Sequence, residues 1–204
     1  MNNQFKKNNK LVENILVVPR QKLFENEEFN GIERVNIAKY LDCIKINMEF
    51  QPRYLMEEDA NYKQIIPYVV FQANNKIFVM QRKDTASEQR LKNKFSIGIG
   101  GHIRISDTNE SSLIDWAKRE FYEEVIFNDQ FETKIIGLVN EESTFVGQVH
   151  IGIVILMQSK SENISIRSEL KSGKLVDIKD IYNYFDNMEN WSQIIINEFW
   201  PKFL

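Results

Sequence analysis

Three glutamates stand at helical spacing near the middle of the chain, at positions 120, 123 and 124. On a helix, side chains at i, i+3 and i+4 project from one side, so their carboxylates can reach a common point. Like charges at this spacing destabilise an isolated helix by about 0.2 to 0.5 kcal/mol per pair, and a hard cation with oxygen ligands would reverse that penalty. We therefore expect Glu120, Glu123 and Glu124 to bind a divalent metal.

A glycine-rich segment precedes the glutamates and ends in Gly100, Gly101 and His102. Glycine lets the backbone approach a ligand closely, since no side chain stands in the way. A glycine turn followed by carboxylates on a helix indicates divalent-metal phosphate chemistry.

The glutamates are predicted to lie on a helix over residues 111–126. The candidate N-cap residues are Asn109, Ser111 and Ser112. The apolar stripe of this helix comprises Ile114, Ala117, Phe121 and Val125. The helix can therefore pack through one face and present its carboxylates to a cleft.

The remaining elements are mostly strands, with a turn predicted at Asn74-Asn75. The predicted strands are residues 15–18, 64–73, 76–82, 132–140, 148–158 and 163–167, and residues 95–103 are a short apolar segment broken by glycines. Two helices are predicted near the end of the chain, over residues 177–187, capped by Asp177, and 191–199. Residues 22–40 are polar with scattered apolar positions, and residues 50–63 are predicted to be a connecting segment.

The chain has 204 residues, of which 43% are hydrophobic and 27% are charged. This length allows one substantial core and is short for two full domains. We therefore predict one domain over residues 61–204, with residues 1–60 as an N-terminal extension packed on it.

The net charge of −3 and the lack of a long basic run argue against a protein that binds extended nucleic acid. No stretch approaches the roughly 18 apolar residues of a membrane span, and the first residues lack the apolar core of a signal peptide. The single cysteine, Cys43, cannot form an internal disulfide. We therefore expect a soluble cytoplasmic protein that does not bind a membrane.

From residue 101 to residue 127 the sequence resembles the Nudix box. That box is a glycine, five residues, a glutamate, seven residues, and then Arg-Glu-apolar-x-Glu-Glu-x-Gly-apolar. The residues that match its second half are Arg119, Glu120, Phe121, Glu123, Glu124 and Phe127. The first half departs from the pattern, because Gly101 lies four residues too far from Arg119 and Ser111 stands where the glutamate is expected. An insertion around residues 105–109 would absorb the difference, and Ile126 replaces the final glycine.

Residues 64–158 also look like a bacterial Nudix subgroup of predicted phosphoesterases. The resemblance implies an α+β fold, an α/β/α sandwich around a mixed β-sheet. It also implies hydrolysis of a nucleoside diphosphate linked to another group, by attack of water at a phosphorus of the diphosphate.

The resemblance implies Mg²⁺ or Mn²⁺, held by Glu120, Glu123, Glu124 and the backbone carbonyl of Gly101. Glu120 or Glu123 is the expected base, and Arg119 is expected to orient a glutamate. The substrate would be a small nucleotide-type molecule.

Other polar residues have two interpretations each. Glu141 and Glu142 form a surface acidic pair or supply an extra metal ligand or base. His102 meets a phosphate or an outer-shell water, or makes a structural hydrogen bond. His150 lies inside an apolar run and is expected to be a half-buried, hydrogen-bonded histidine rather than a ligand.

Two further functions remain open at this point. The irregular first half of the box and Ile126 favour a catalytically silent Nudix domain that binds a nucleotide or nucleotide-sugar as a sensor. Residues 1–60 exceed what a minimal fold needs, so they could form a homodimer surface or a partner site.

Overall fold

The computed structural model describes residues 13–25, 27–82, 93–107, 112–168 and 170–201. The strands are β1 (Asn14–Pro19), β2 (Gly31–Glu33), β3 (Glu49–Pro52), β4 (Tyr62–Ala73), β5 (Lys76–Arg82), β6 (Phe95–Ser96), β7 (Gly98–Gly100), β8 (Val125–Ile126), β9 (Glu132–Asn140), β10 (His150–Ser159), β11 (Ser165–Ile166) and β12 (Leu170–Asp177). The α-helices are α1 (Arg20–Phe24), α2 (Ile37–Asn47), α3 (Arg53–Met56), α4 (Leu113–Glu124), α5 (Phe145–Val149) and α6 (Asn190–Phe199). The 3-10 helices are Ile105–Asp107, Ile178–Asn183 and Phe185–Asn187.

The larger sheet has the strand order β12-β5-β4-β10-β9-β2, and β8 pairs with β11 in a separate two-stranded ladder. By its contacts the chain divides into two compact units. The first comprises Met1–Pro67, Gly101–Trp116 and Gly137–Ile153, and the second comprises Tyr68–Gly100, Ala117–Ile136 and Val154–Leu204. The division of the chain at residue 60 into an extension and a domain stays a prediction.

In the first unit, β1 pairs with two other strands. It pairs antiparallel with β3 and with the first part of β4, where Val17 lies opposite Gln64. The Leu16 N–H donates to the carbonyl of Ile103 at 2.8 Å. This bond attaches the segment that follows the glycine turn to β1, so the position of His102 depends on β1.

In the second unit, aromatic side chains hold α4 against β4. The rings of Phe71 and Phe121 stack with their centroids 5.5 Å apart, and Phe127 contacts Phe71 edge-on at 4.9 Å. Ala117 and Phe121, two members of the predicted apolar stripe, are fully buried. The helix is therefore fixed by its apolar face, which sets the direction of its glutamates.

Both ends of α4 have identifiable hydrogen bonds. At the start, Ser112 Oγ accepts from the Asp115 N–H at 3.3 Å and donates to its carboxylate at 2.7 Å. At the end, the Arg167 N–H donates to the carbonyl of Glu124 at 2.8 Å. The helix stops at Glu124 because Val125 and Ile126 continue as β8, so Arg167 and a strand replace the glycine cap that the Nudix pattern expects.

Several predicted elements differ from the structure. The segment after Asp177 forms the two short 3-10 helices rather than one α-helix, and Asp177 makes no side-chain cap. Helix α2 lies partly in the polar segment and partly beyond it, and it buries only Tyr40 and Ile44, so its periodicity is weak. Residues 145–149 form α5, capped by Thr144, ahead of β10. The predicted N-cap residues at 109 and 111 lie outside the described residues.

The predicted Asn74-Asn75 turn is confirmed, with Asn74 at a φ of 53°. Within the described part of the chain, no helix is long and apolar enough to cross a membrane.

Gly98 in the glycine-rich segment leaves no room for a side chain. A Cβ there would lie less than 3.0 Å from the ring of Tyr68. That ring is held in place because its hydroxyl lies 3.1 Å from Ser96 Oγ and 2.9 Å from Ser192 Oγ. We expect Gly98→Ala to lower the free energy of unfolding by about 1 to 3 kcal/mol, the usual cost of overpacking, as measured by urea denaturation.

The matched control is the same change in a Tyr68→Leu background, where no ring has to move. The two substitutions should then couple, and the added cost of Gly98→Ala should shrink. An equal cost in both backgrounds would contradict this explanation.

Candidate active site

The arginine of the predicted box contacts two of its glutamates. Arg119 Nη2 lies 2.8 Å from Glu120 Oε1, and Arg119 Nη1 lies 2.7 Å from Glu123 Oε1. Both are short, charge-assisted contacts, which are stronger than hydrogen bonds between neutral groups. Arg119 therefore fixes the two carboxylates relative to each other on α4.

The third glutamate completes the cluster at the end of α4. Atom Oε2 of Glu124 is buried, and Glu123 is the most exposed of the three, with 53% of its side chain accessible. Three carboxylates thus lie within five residues of one helix. Carboxylate oxygens are the ligands that Mg²⁺ and Mn²⁺ prefer, and this donor set fits such a cation.

Gly101 and His102 belong to the first unit, whereas Arg119 and the three glutamates belong to the second. The predicted insertion after the glycine turn contains a 3-10 turn ending at the buried Asp107. Asp107 accepts from the Arg104 N–H at 2.8 Å, and its carbonyl accepts from the Trp116 indole at 2.8 Å. The extra residues described here thus form an ordered, hydrogen-bonded turn.

The two histidines contact each other within the first unit. His102 Nε2 lies 2.7 Å from Gln64 Oε1 and 3.2 Å from His150 Nε2. His150 Nδ1 lies 2.8 Å from the carbonyl oxygen of Val146, and the residue is 6% exposed. His150 is more deeply buried than the sequence predicts.

Glu141 and Glu142 do not form a surface acidic pair, so that interpretation is wrong. Glu141 is 6% exposed. Its carboxylate turns back on its own loop and accepts from the Ser143 N–H at 2.6 Å and the Thr144 hydroxyl at 2.5 Å. Through these bonds, Glu141 fixes the conformation of the loop that leads into α5.

Glu142 instead belongs to a charged cluster that sequence patterns missed. Lys63 Nζ lies 2.5 Å from Glu142 Oε1, and Arg20 Nη2 lies 2.5 Å from Glu142 Oε2. Lys63 is completely buried and also donates to Asn140 Oδ1 at 2.8 Å and to the Gly147 carbonyl at 2.9 Å. Burial lowers the pKa of Lys63, against the opposing effect of Glu142. The signal in the sequence was a lysine directly before the predicted strand at residues 64–73.

The hydrogen bonds to Glu141 predict a pH dependence of stability. Burial alone would raise the pKa of Glu141, but the bonds from Ser143 and Thr144 outweigh it and hold the pKa below its ordinary value. A carboxylate with a lowered folded-state pKa stabilises the fold above its unfolded pKa of about 4.3, and this contribution is lost as the pH falls through the folded value.

Wild-type stability should therefore fall below about pH 5 more steeply than that of Glu141→Gln, which lacks the titrating group. Urea unfolding from pH 3 to pH 7 measures this difference. Glu162→Gln is the control at an exposed carboxylate held by Lys76, where solvent screening should make the change in stability with pH smaller. Parallel curves for wild type and Glu141→Gln would contradict the prediction.

No protein-family model matches the chain. The chain is 33% identical to Protein YmaB of Bacillus subtilis (strain 168) over 205 residues, which cover 92% of this chain and 98% of that protein. It is also similar to the crystal structure of Tm1382, whose assignment as a Nudix hydrolase is provisional. That match has 28% identity and a TM-score of 0.75, and it covers 92% of this chain and 100% of Tm1382.

A more distant likeness is to a bifunctional NMN adenylyltransferase/ADP ribose pyrophosphatase from Francisella tularensis, solved with AMP and a manganese ion. The identity is 18% and the TM-score is 0.52, with 67% of this chain and 40% of that chain covered. At this identity the likeness shows the fold alone. Together these structures confirm the predicted α+β fold with a mixed sheet.

Proposed function

Because the chain belongs to the Nudix family, we propose that it hydrolyses a diphosphate bond in a nucleoside diphosphate linked to another group, with a divalent metal. The observation that carries this proposal is the cluster on α4, where Arg119 bridges Glu120 and Glu123 and Glu124 follows. A solvated helix face would not need an arginine that is itself only 18% exposed.

Glu120, Glu123 and Glu124 would hold the metal, and the backbone carbonyl of Gly101 is the further ligand that we propose. When bound, Mg²⁺ or Mn²⁺ neutralises diphosphate charge and lowers the pKa of water. The protein's own contribution is to keep the carboxylates in place, through the apolar face of α4 and through Arg119.

The base is assigned by exposure. Glu120 and Glu123 each use Oε1 to accept from Arg119, but 14% of the Glu120 side chain is exposed against 53% for Glu123. A base that takes a proton from water must have access to that water. We therefore assign proton transfer to Glu123, with Arg119 as the residue that positions it.

The experiment is an assay of the purified protein on a substrate panel with Mg²⁺, with Mn²⁺, and with neither. The panel contains nucleoside triphosphates, ADP-ribose, other nucleotide-sugars and dinucleoside polyphosphates. We expect metal-dependent cleavage of at least one substrate, and the products identify the bond broken. Ligand-induced thermal shifts on the same panel without cleavage would overturn the hydrolase in favour of a nucleotide-binding module.

The departures from the box favour that second candidate. The chain has extra residues between Gly101 and Arg119, and Ile126 stands at the position of the final glycine. A silent domain would bind a nucleotide or nucleotide-sugar and report it to a partner.

A cytoplasmic location and a homodimer formed through residues 1–60 belong to the same proposal. Light scattering coupled to size-exclusion chromatography tests the dimer, since a monomer mass at micromolar concentration would exclude it.

A further inference from the structure

The chain contains two histidines, and the structure brings them into contact. His102 follows the glycine turn and His150 begins β10, 48 residues later, yet their Nε2 atoms lie 3.2 Å apart. Two ligand nitrogens at about 2.0 to 2.1 Å from a tetrahedral zinc ion would lie about 3.3 Å from each other. The distance between the two histidine Nε2 atoms therefore matches the distance between two ligands of a tetrahedral zinc site.

A carboxylate lies next to the pair. Glu57, which directly follows α3, has a carboxylate oxygen within 4.8 Å of the histidine nitrogens, and the three ligand atoms lie within that distance of one another. Glu57 also accepts from Arg53 Nε at 2.8 Å, which orients its carboxylate. All three residues belong to the first unit.

Hydrogen bonds around His150 orient it for metal binding. Its Nδ1–H donates to the carbonyl oxygen of Val146 at 2.8 Å, so the neutral ring carries its lone pair on Nε2, the atom that faces His102. Metal-binding histidines usually donate their other ring N–H to a carbonyl or a carboxylate, which fixes the tautomer in this way.

Gln64 holds the His102 ring differently, through the Nε2 atom that would bind the metal. Its amide nitrogen donates to the Met56 carbonyl at 3.0 Å, which directs the amide oxygen to His102 Nε2 at 2.7 Å. Gln64 is completely buried, so this orientation is fixed by the protein interior. A cation at Nε2 replaces this hydrogen bond, and the His102 proton moves to Nδ1.

We propose that Glu57, His102 and His150 form a binding site for a transition-metal dication of the Zn²⁺ type. Two imidazoles with one carboxylate select such ions over Mg²⁺, which prefers oxygen ligands alone. The ligands differ from the glutamates of α4, so this inference does not depend on the proposed hydrolase. Three protein ligands leave a fourth position open to water or to an anionic group.

The test is titration of the metal-free full-length protein with Zn²⁺ by calorimetry and with Co²⁺ by visible absorption. We expect one equivalent to bind through these ligands and Co²⁺ to give the bands of a four-coordinate site. His102→Ala and Glu57→Gln should each weaken Zn²⁺ binding by about 100-fold or more, since loss of an outer-shell partner alone costs about 10- to 100-fold. Circular dichroism checks that both variants fold.

Two controls remove other ligands from the chain. Cys43→Ser removes the only thiol, and Glu124→Gln disrupts the glutamate cluster. Neither should change the Zn²⁺ affinity or the Co²⁺ bands of this site. Wild-type affinity in His102→Ala and Glu57→Gln, or loss of the bands in either control, would overturn the proposal.

Discussion

The Glu124→Gln variant is expected to lose at least about 100-fold in kcat while keeping its fold. The substitution keeps the size of the side chain but removes the charge and one strong oxygen donor from the cluster on α4. The measurement is the steady-state rate with saturating Mg²⁺ on the substrate that the panel identifies, together with the urea-unfolding midpoint.

The matched control is Glu132→Gln, which neutralises an exposed carboxylate on β9 outside the cluster. Its kcat should equal that of the wild type. Glu123→Gln should resemble Glu124→Gln. Unchanged turnover in both cluster variants would show that the helix face is only a solvated surface.

The Lys63→Met variant is expected to lose about 3 kcal/mol or more of unfolding free energy, because it leaves two buried oxygen atoms without a donor and removes one of the two cations that hold Glu142. The change takes the donor from the Asn140 Oδ1, from the Gly147 carbonyl and from Glu142. Asn140 cannot flip to compensate, since its amide nitrogen already donates to the Phe29 carbonyl at 2.6 Å. Urea denaturation at pH 7 measures the loss.

The control for this prediction is Lys76→Met, which breaks a partly exposed pair with Glu162. Such a pair contributes about 0 to 1 kcal/mol. The double variant Lys63→Met/Glu142→Gln should recover part of the lost stability, because the half-buried residue 142 then carries no charge. Equal losses in the two methionine variants would contradict the account of Lys63 as a buried structural charge.

Local patterns in the sequence located the box helix and most strands. Helical periodicity explains both the spacing of Glu120, Glu123 and Glu124 and the apolar stripe through Phe121. This periodicity is visible within a segment of a few helical turns. Strand β9 has the predicted bounds, and the hairpin at Asn74 follows from turn chemistry. The resemblance to the Nudix box then indicated the fold, because the box is recognised by residue types at fixed spacing along the sequence.

Contacts between distant segments were not visible in the same way. Lys63 meets Glu142 across 79 residues and His102 meets His150 across 48, and no periodicity links such positions. The sequence suggested that Glu141 is a surface charge. Ser143 and Thr144 donate hydrogen bonds to its carboxylate only when the loop folds back on itself. The sequence shows which side chains are polar, but packing decides which of them are buried.

We propose that this chain uses the α4 carboxylates to direct water at a phosphorus of a diphosphate. The most direct measurement is cleavage of the panel in water enriched in oxygen-18, followed by mass spectrometry of the products, for wild type and Glu123→Gln. The account predicts cleavage that requires Mg²⁺ or Mn²⁺ and intact Glu123, with the heavy oxygen on a phosphoryl group of one product. Cleavage that persists with a chelator or in Glu123→Gln, or a heavy oxygen bound to carbon, would contradict it.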